Sequence, residues 1–140
     1  MDDTSQNKRN FSTEEQNALD LGKLLDEHKA ADVLVMDMRQ LNFWTDFFVI
    51  ATVTSNTHLM GLERHIRDFT REKGLEILRR SRKPEKGDLL QEEWCLLDLG
   101  FMVIHLMSAK TRSFFELERL WSAASPVFDS RKPTHSSKSS

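Results

Sequence analysis

Three aspartates at or beside strand-like segments are the residues of this chain best suited, by side-chain type, to a catalytic or metal-binding role. They are Asp37, Asp46 and Asp98. Carboxylates at strand ends can hold divalent metal ions for phosphoryl transfer. Nucleotidyltransferases of the minimal type use two such acids one residue apart, but Val35 and Arg39 occupy those positions around Asp37. The metal-binding pair is therefore incomplete, and a metal-dependent nucleotidyltransferase-like enzyme stands only as the alternative function.

The histidines and the single cysteine do not form a pattern typical of a metal or catalytic site. His58 and His65 lie seven residues apart, too far for the i, i+4 pair that binds one zinc ion. His58 stands near a helix start, where it belongs either to a cap or to an anion site. His105 would be a general base only beside a nucleophile, and Cys95 should point to the opposite face. We predict no metal, no cofactor and no catalytic residue, with Cys95 a small buried side chain.

Composition and charge indicate a globular protein of one domain. The chain has 140 residues, of which 39% are hydrophobic and 30% charged. Its net charge of −2 argues against wrapping nucleic acid. No apolar run is long enough to span a membrane, and the polar Met1–Gln6 segment lacks the apolar core of a signal peptide. We expect a cytoplasmic protein without membrane contact.

The segment Arg79–Lys83 contains four cations in five residues and is the most basic part of the chain. A run of this kind is most often a solvated loop. The alternative is a local contact with RNA phosphates, which the salt dependence of binding would reveal. The glycines occur singly, so the chain has no glycine-rich phosphate loop.

The segment Trp94–Met107 predicts an antiparallel hairpin, because two apolar runs meet at a glycine. A turn at Leu99-Gly100 places Asp98 opposite Phe101, and side chains then alternate between two faces. One face is apolar throughout and typical of a core: Cys95, Leu97, Met102, Ile104 and Leu106. The other mixes an indole, a carboxylate and an imidazole with aliphatic groups: Trp94, Leu96, Asp98, Phe101, Val103 and His105. This second face is expected to dock a partner.

The elements that position this hairpin begin with a helix. Ser12 and Glu15 match a capping box, which predicts a helix from there to Lys29. Strands are predicted over 33–38 and 46–52. The second of these is continuously apolar after its first residue, so we expect a strand covered on both faces.

A second helix follows, capped by Thr54 or Ser55 and ended by Gly74 in a left-handed conformation. Its apolar stripe consists of Leu59, Leu62, Ile66 and Phe69. A strand is predicted over 75–78, in a right-handed crossover parallel to the strand before the helix. Residues 79–88 then read as a charged loop.

A last helix is predicted over 111–124, with apolar residues at Phe114, Leu117, Leu120 and Trp121. The polar segments 1–10 and 125–140 are expected to be a flexible N-terminus and a disordered tail. The prediction is therefore one α/β domain over 11–124, a mixed sheet of about five strands with helices packed on it.

Several motifs in this order resemble the ribosomal silencing factor family, also called Iojap. They are Ser55-Asn56-Thr57-His58, then Trp94 with Asp98, Gly100 and His105, and last Leu117-Glu118-Arg119-Leu120-Trp121. The resemblance extends from about Leu19 to Trp121. It implies an α/β fold distantly like nucleotidyltransferases but without their catalytic acids.

The resemblance also implies a function without catalysis. Family members bind large-subunit ribosomal protein fourteen, hinder the joining of ribosomal subunits and repress translation when nutrients are short, while organellar relatives take part in large-subunit assembly. The implied partner-binding residues are those of the mixed hairpin face: Trp94, Leu96, Asp98, Phe101, Val103 and His105. A minor contact with ribosomal RNA, a monomer on the ribosome and a homodimer when free are further expectations.

Two positions depart from the family pattern. Phe101 stands where an acid usually follows the glycine, and Val53 stands where a glycine usually follows the Ile-Ala-Thr strand. The charged segment before Trp94 is also longer than in the family.

Overall fold

A computed structural model describes residues 2–41, 44–83, 94–115 and 124–131. Its elements in chain order are α1 (Asp2–Glu27), β1 (Ala31–Asp37), a 3₁₀ turn (Arg39–Leu41), β2 (Phe47–Val53), α2 (Asn56–Lys73), β3 (Arg79–Lys83), β4 (Trp94–Asp98), β5 (Met102–Ser108), α3 (Ala109–Phe115) and β6 (Ser125–Asp129). The strands form one sheet in the order β3-β4-β5-β2-β1-β6. β2 and β5 are parallel, and all other neighbours are antiparallel. The predicted α/β fold with a mixed sheet is confirmed, with six strands rather than about five.

Strand β2 lies at the centre of the sheet. All of its residues from Phe47 to Val53 are buried, as its continuous apolar run predicted. Because β1 and β5 flank it and both faces are covered, no position in β2 can carry a solvated side chain. Val53, the position where the family usually has glycine, fits this strand as its last buried residue.

One face of the sheet packs on α1 and α2. The main core lies there and joins apolar side chains of both helices to those of the strands: Ala18, Leu21, Leu25, Leu59, Leu62, Ile66, Val35, Val49, Leu97 and Ile104. The predicted ends of α2 are confirmed. The Ser55 hydroxyl accepts a hydrogen bond from the His58 amide at 3.0 Å, and Gly74 adopts the left-handed φ of 70°.

Gly22 allows α1 to approach β1 closely. A Cβ added there would lie 2.5 Å from Cγ2 of Val35, a stiff and fully buried side chain. We expect Gly22→Ala to lower the free energy of unfolding by about 1–2 kcal/mol. This loss outweighs the helix propensity of alanine, which exceeds that of glycine by about 1 kcal/mol. Gly61→Ala in α2 is the matched control, since nothing lies within 4 Å of its added Cβ. Urea unfolding should show the control unchanged or stabilised, and equal stabilisation of both variants would contradict the close approach.

The predicted start of the first helix is wrong. α1 begins at Asp2, so the supposed capping box around Ser12 lies within the helix. Residues 2–11 contain neither glycine nor proline to stop a helix, and Asp2 and Asp3 are of the acidic type that is favoured near a helix N-terminus.

The segment 79–83 is a strand and not a charged loop, and the strand predicted over 75–78 is wrong. β3 is an edge strand, where charged side chains are common. The stems of Arg80 and Arg82 reach towards α2, and their guanidinium groups contact Glu63 and Asn56. The strand predicted to follow α2 in a parallel crossover is β3 instead, which runs parallel to β2 with β4 and β5 between the two.

The polar C-terminal segment also contributes a strand, so its predicted disorder is wrong over residues 125–129. β6 pairs with β1 in antiparallel register, and the side chains of Val127 and Phe128 pack against the main core. β1 would otherwise leave an open edge, and two neighbouring apolar residues are enough to cover it. The predicted side-chain contacts of Phe114, Leu117, Leu120 and Trp121 lie outside the described residues, as do residues 132–140.

Candidate functional site

The hairpin of β4 and β5 differs from the prediction by one residue at its turn. The Leu99 amide donates to the Met102 carbonyl at 2.8 Å, so Gly100 and Phe101 form the turn. Gly100 has a φ of 92°, which glycine adopts without strain. Asp98 therefore pairs with Val103, and Trp94 with Met107. Moving the turn by one residue moves the register by two, so the strand side chains keep their predicted faces.

The predicted core face of the hairpin is confirmed. Its five residues are fully buried against the helices: Cys95, Leu97, Met102, Ile104 and Leu106. Burial raises the pKa of the Cys95 thiol to about 11, so the sulfur stays protonated and unreactive at neutral pH.

The opposite face of the sheet carries a second apolar cluster. Its buried members are Leu34, Met36, Met38, Phe48, Ile50, Val103 and Met107. Trp94 and Leu96 lie half-buried beside it, and Trp44 projects from the loop before β2 with 60% of its surface exposed. We call Trp44, Phe48, Trp94, Leu96 and His105 the aromatic surface. It presents two indoles to solvent above a packed apolar base, as in a typical docking site.

His105 connects the members of the aromatic surface. Its ring centroid is 5.3 Å from that of Phe48 and 6.1 Å from that of Trp94. The Trp94 Nε1–H group donates to His105 Nδ1 at 3.2 Å. Burial lowers the pKa of His105 to about 4, so the ring is neutral at pH 7 and Nδ1 can accept this bond. The histidine therefore orients the indole.

Asp98 stabilises the turn of the hairpin. Its carboxylate accepts a hydrogen bond from the Gly100 amide at 2.8 Å, a contact that stabilises tight turns. It also accepts from Arg79 at 3.3 Å and is buried. Reversing the charge at Asp98 would therefore break these two contacts and disturb the hairpin itself.

One residue of the predicted partner-binding face, Phe101, lies elsewhere in the structure. Phe101 lies in the turn, where strand alternation does not apply, and its side chain packs against the main core on the helix side. Placing Phe101 on the mixed face was therefore wrong. Trp94 and Leu96 remain accessible there, while Val103 and His105 lie buried beneath them.

The three aspartates do not form a metal site. Asp37 in β1 and Asp98 in β4 are separated by β2 and β5, which is about 14 Å across three strand spacings. Hydrogen bonds from Arg39, whose guanidinium is 2.6 Å from Asp37, hold the pKa of that carboxyl below its usual value. Within the described ranges no three His, Cys, Asp or Glu side chains are placed to hold one metal ion. Over the same residues no helix is long and apolar enough to cross a membrane.

His58 belongs to the cap of α2. Its Nδ1 accepts from the Thr54 amide at 3.1 Å, which leaves the hydrogen on Nε2 to be donated to the His28 carbonyl, also at 3.1 Å. The ring joins the end of α1 to the start of α2. Of the two roles predicted for His58, the structure therefore favours the cap over the anion site.

Two features escaped prediction from sequence. The first is the nearness of Trp44 to the hairpin: Trp44 packs against Phe48 of β2, and β2 lies beside β5, a pairing that no local pattern reveals. Arg112 in α3 is buried and donates to the Thr52 hydroxyl at 3.0 Å and to the Asp32 carbonyl at 2.5 Å. A single arginine in a polar segment gives no signal of burial.

Comparison with known proteins agrees with this architecture. The model of the family described as "Ribosomal silencing factor during starvation" matches residues 11–140. Ribosomal silencing factor RsfS of Treponema pallidum is 37% identical over 101 residues, covering 72% of this chain and 86% of that protein. The Bacillus subtilis protein of the same name is 33% identical over 104 residues, covering 74% and 82%.

Longer relatives and a solved structure extend this comparison. The chloroplastic Iojap protein of Zea mays is 32% identical over 118 residues, but the match spans only 49% of its length against 82% of this chain. A crystal structure of a Bacillus halodurans protein superposes with a TM-score of 0.58 at 27% identity, over 81% of this chain and 94% of that one. The chain therefore belongs to the ribosomal silencing factor family.

Proposed function

We propose that this protein binds the large ribosomal subunit through ribosomal protein fourteen and thereby blocks the joining of the small subunit, repressing translation when nutrients are short. The proposal rests on family membership, and the observation that carries it is the aromatic surface. Trp44 and Trp94 are exposed or half-exposed on a sheet face that α1 and α2 leave uncovered. Large aromatic side chains of this kind supply much of the binding energy of protein interfaces.

The proposed mechanism requires occupancy and no chemistry. A standard interface covers about 800 Å² on each partner, and a protein seated there excludes any molecule whose footprint overlaps. The separation of Asp37 from Asp98 and the engagement of both carboxylates by arginines support a role without catalysis. We place the action in the cytoplasm, with one copy bound to each large subunit.

A role in subunit assembly is the second candidate. The mouse protein named "Mitochondrial assembly of ribosomal large subunit protein 1" is 34% identical over 108 residues, covering 75% of this chain and 45% of that protein. Binding to the same surface would serve either role, so only a functional assay separates them.

Light scattering during subunit association tests the proposal. Large subunits saturated with the protein should fail to join added small subunits, in a stoichiometric manner, because one bound copy covers one site. Excess small subunit should relieve the block, and preformed ribosomes should resist because their shared face is already covered. Unchanged joining by saturated large subunits would exclude silencing and favour assembly.

A further inference from the structure

Five arginines lie together on the outer side of α2 and on β3. Arg64, Arg67 and Arg71 recur at spacings of three and four residues, which places them on one stripe of α2. Arg80 and Arg82 of β3 reach the same side of the helix, since they pair with Leu97 and Cys95, whose side chains face α2. We call Arg64, Arg67, Arg71, Arg80 and Arg82 the arginine surface.

The arginine surface is positively charged although the whole chain has a net charge of −2. Two carboxylates of the described residues contact it. Glu63 is shared between Arg67, at 3.0 Å, and Arg80, and Asp68 contacts Arg71 at 3.0 Å. Among the described residues, five cations against two anions leave three positive charges. Burial would raise the pKa of Glu63, but the two guanidinium groups hold it below its usual value, so Glu63 stays ionised and keeps them in place.

Four of the five arginines contact a side chain of α2: Arg67, Arg71, Arg80 and Arg82. Arg82 contacts the neutral side chain of Asn56, and within the described part of the chain no carboxylate forms an ion pair with it. Arg71 has 75% of its side chain exposed although it pairs with Asp68. A planar guanidinium anchored through one edge still offers its other N–H groups to a phosphate, and anchoring reduces the entropy that binding costs.

The composition of the arginine surface favours a phosphate backbone over an acidic protein. Protein interfaces depend on an apolar centre that excludes water, whereas the described part of this surface exposes one large apolar side chain on α2, Met60, and one before β3, Leu78. Contacts with nucleic-acid phosphates need no such centre, because their free energy comes from charge neutralisation and the release of counterions.

We propose that the arginine surface binds the phosphodiester backbone of RNA. β3 and β4 pair at one edge of the sheet, with Lys83 opposite Trp94, so the arginine surface and the aromatic surface border the same edge. The identity of this RNA rests on the proposed function: it is the RNA of the large subunit, next to the protein that the aromatic surface contacts. The aromatic surface then selects the site, and the arginine surface adds affinity that depends on salt.

Fluorescence anisotropy with a labelled RNA hairpin tests this without ribosomes. The test variant is Arg64→Gln with Arg71→Gln, which leaves the contacts of Arg67 and Arg80 to Glu63 intact. The matched control is Lys23→Gln with Lys110→Gln, which removes the same charge from exposed positions on α1 and α3. The test variant should bind RNA at least tenfold more weakly at low salt. In a plot of log affinity against log salt concentration, the slope for the test variant should be shallower by about 0.7–0.9 for each phosphate contact removed.

Other outcomes would overturn the inference. No RNA binding by the unaltered protein, or an equal loss in both double variants, would mean that this surface has no special role. Weaker binding to large subunits with unchanged RNA binding would assign the surface to an acidic protein instead. Because the hairpin assay contains no ribosomal protein, its result does not depend on whether the chain binds large subunits.

Discussion

Replacing Trp94 by alanine is expected to weaken binding to large ribosomal subunits by about 2 kcal/mol or more, roughly 30-fold. Trp94 is half-buried at the border of the aromatic surface, and its ring offers a large apolar area with few rotatable bonds. Its Nε1–H bond to His105 holds the ring in one orientation before binding. Alanine removes both the area and this preorganisation.

Sedimentation of each variant with purified large subunits measures the loss. Trp94→Phe keeps an aromatic ring but not the donor, so its affinity should lie between those of the parent and Trp94→Ala. Lys23→Ala is the control, since Lys23 is exposed on α1 and lies outside both the aromatic surface and the arginine surface. Equal affinity for Trp94→Ala and the parent, with folding confirmed by circular dichroism, would show that the aromatic surface is not the interface.

Acidification is expected to destabilise the fold through His105. Burial lowers the pKa of His105 from 6.5 to about 4, whereas the unfolded chain keeps a value near 6.5. Between these two values the unfolded state binds more protons, so the free energy of unfolding rises with pH. The contribution of neutral, buried His105 is complete above pH 6.5 and is lost as the pH falls towards 4. The full loss is about 3 kcal/mol.

Urea unfolding of the parent and of His105→Gln between pH 4 and 7 isolates this contribution. Glutamine offers an oxygen to the Trp94 indole and does not titrate, so the variant should show a shallower pH dependence between pH 4.5 and 6.5. Asp37 and Glu63 also lose their ion pairs in acid, but their lowered pKa values place that loss below about 4.5. Parallel pH profiles for the two proteins would refute the assignment to His105.

The sequence predicted best those elements whose signals are local. Ser55 and Gly74 cap α2 as expected, because a hydroxyl acceptor and a left-handed glycine act on the nearest turn. The two faces of the hairpin were predicted because alternation survives an even shift in register. The turn itself was misplaced by one residue, since either neighbour of Gly100 could accompany it, and Phe101 was assigned to the wrong side for that reason.

The edge strands and the aromatic surface could not be predicted in the same way. β3 is built of arginine, lysine and serine, and β6 contains Pro126, a composition that edge strands tolerate but that also suits a loop. Each becomes a strand because a neighbour far away in sequence offers an open edge. The nearness of Trp44 to the hairpin likewise depends on β2 lying beside β5, a long-range pairing.

The position of β6 determines when the sheet can be completed during synthesis of the chain. β6 pairs with β1, and the Val33 amide binds the Ser130 side chain 97 residues later. During synthesis, β1 and β2 emerge long before the strand that closes the β1 edge, as the separation of 97 residues between Val33 and Ser130 shows. Pairings of such long sequence separation form slowly, and an unpaired edge can associate with other nascent chains. The sheet can therefore be completed only after β6 has left the ribosome, in a protein whose proposed partner is the large ribosomal subunit.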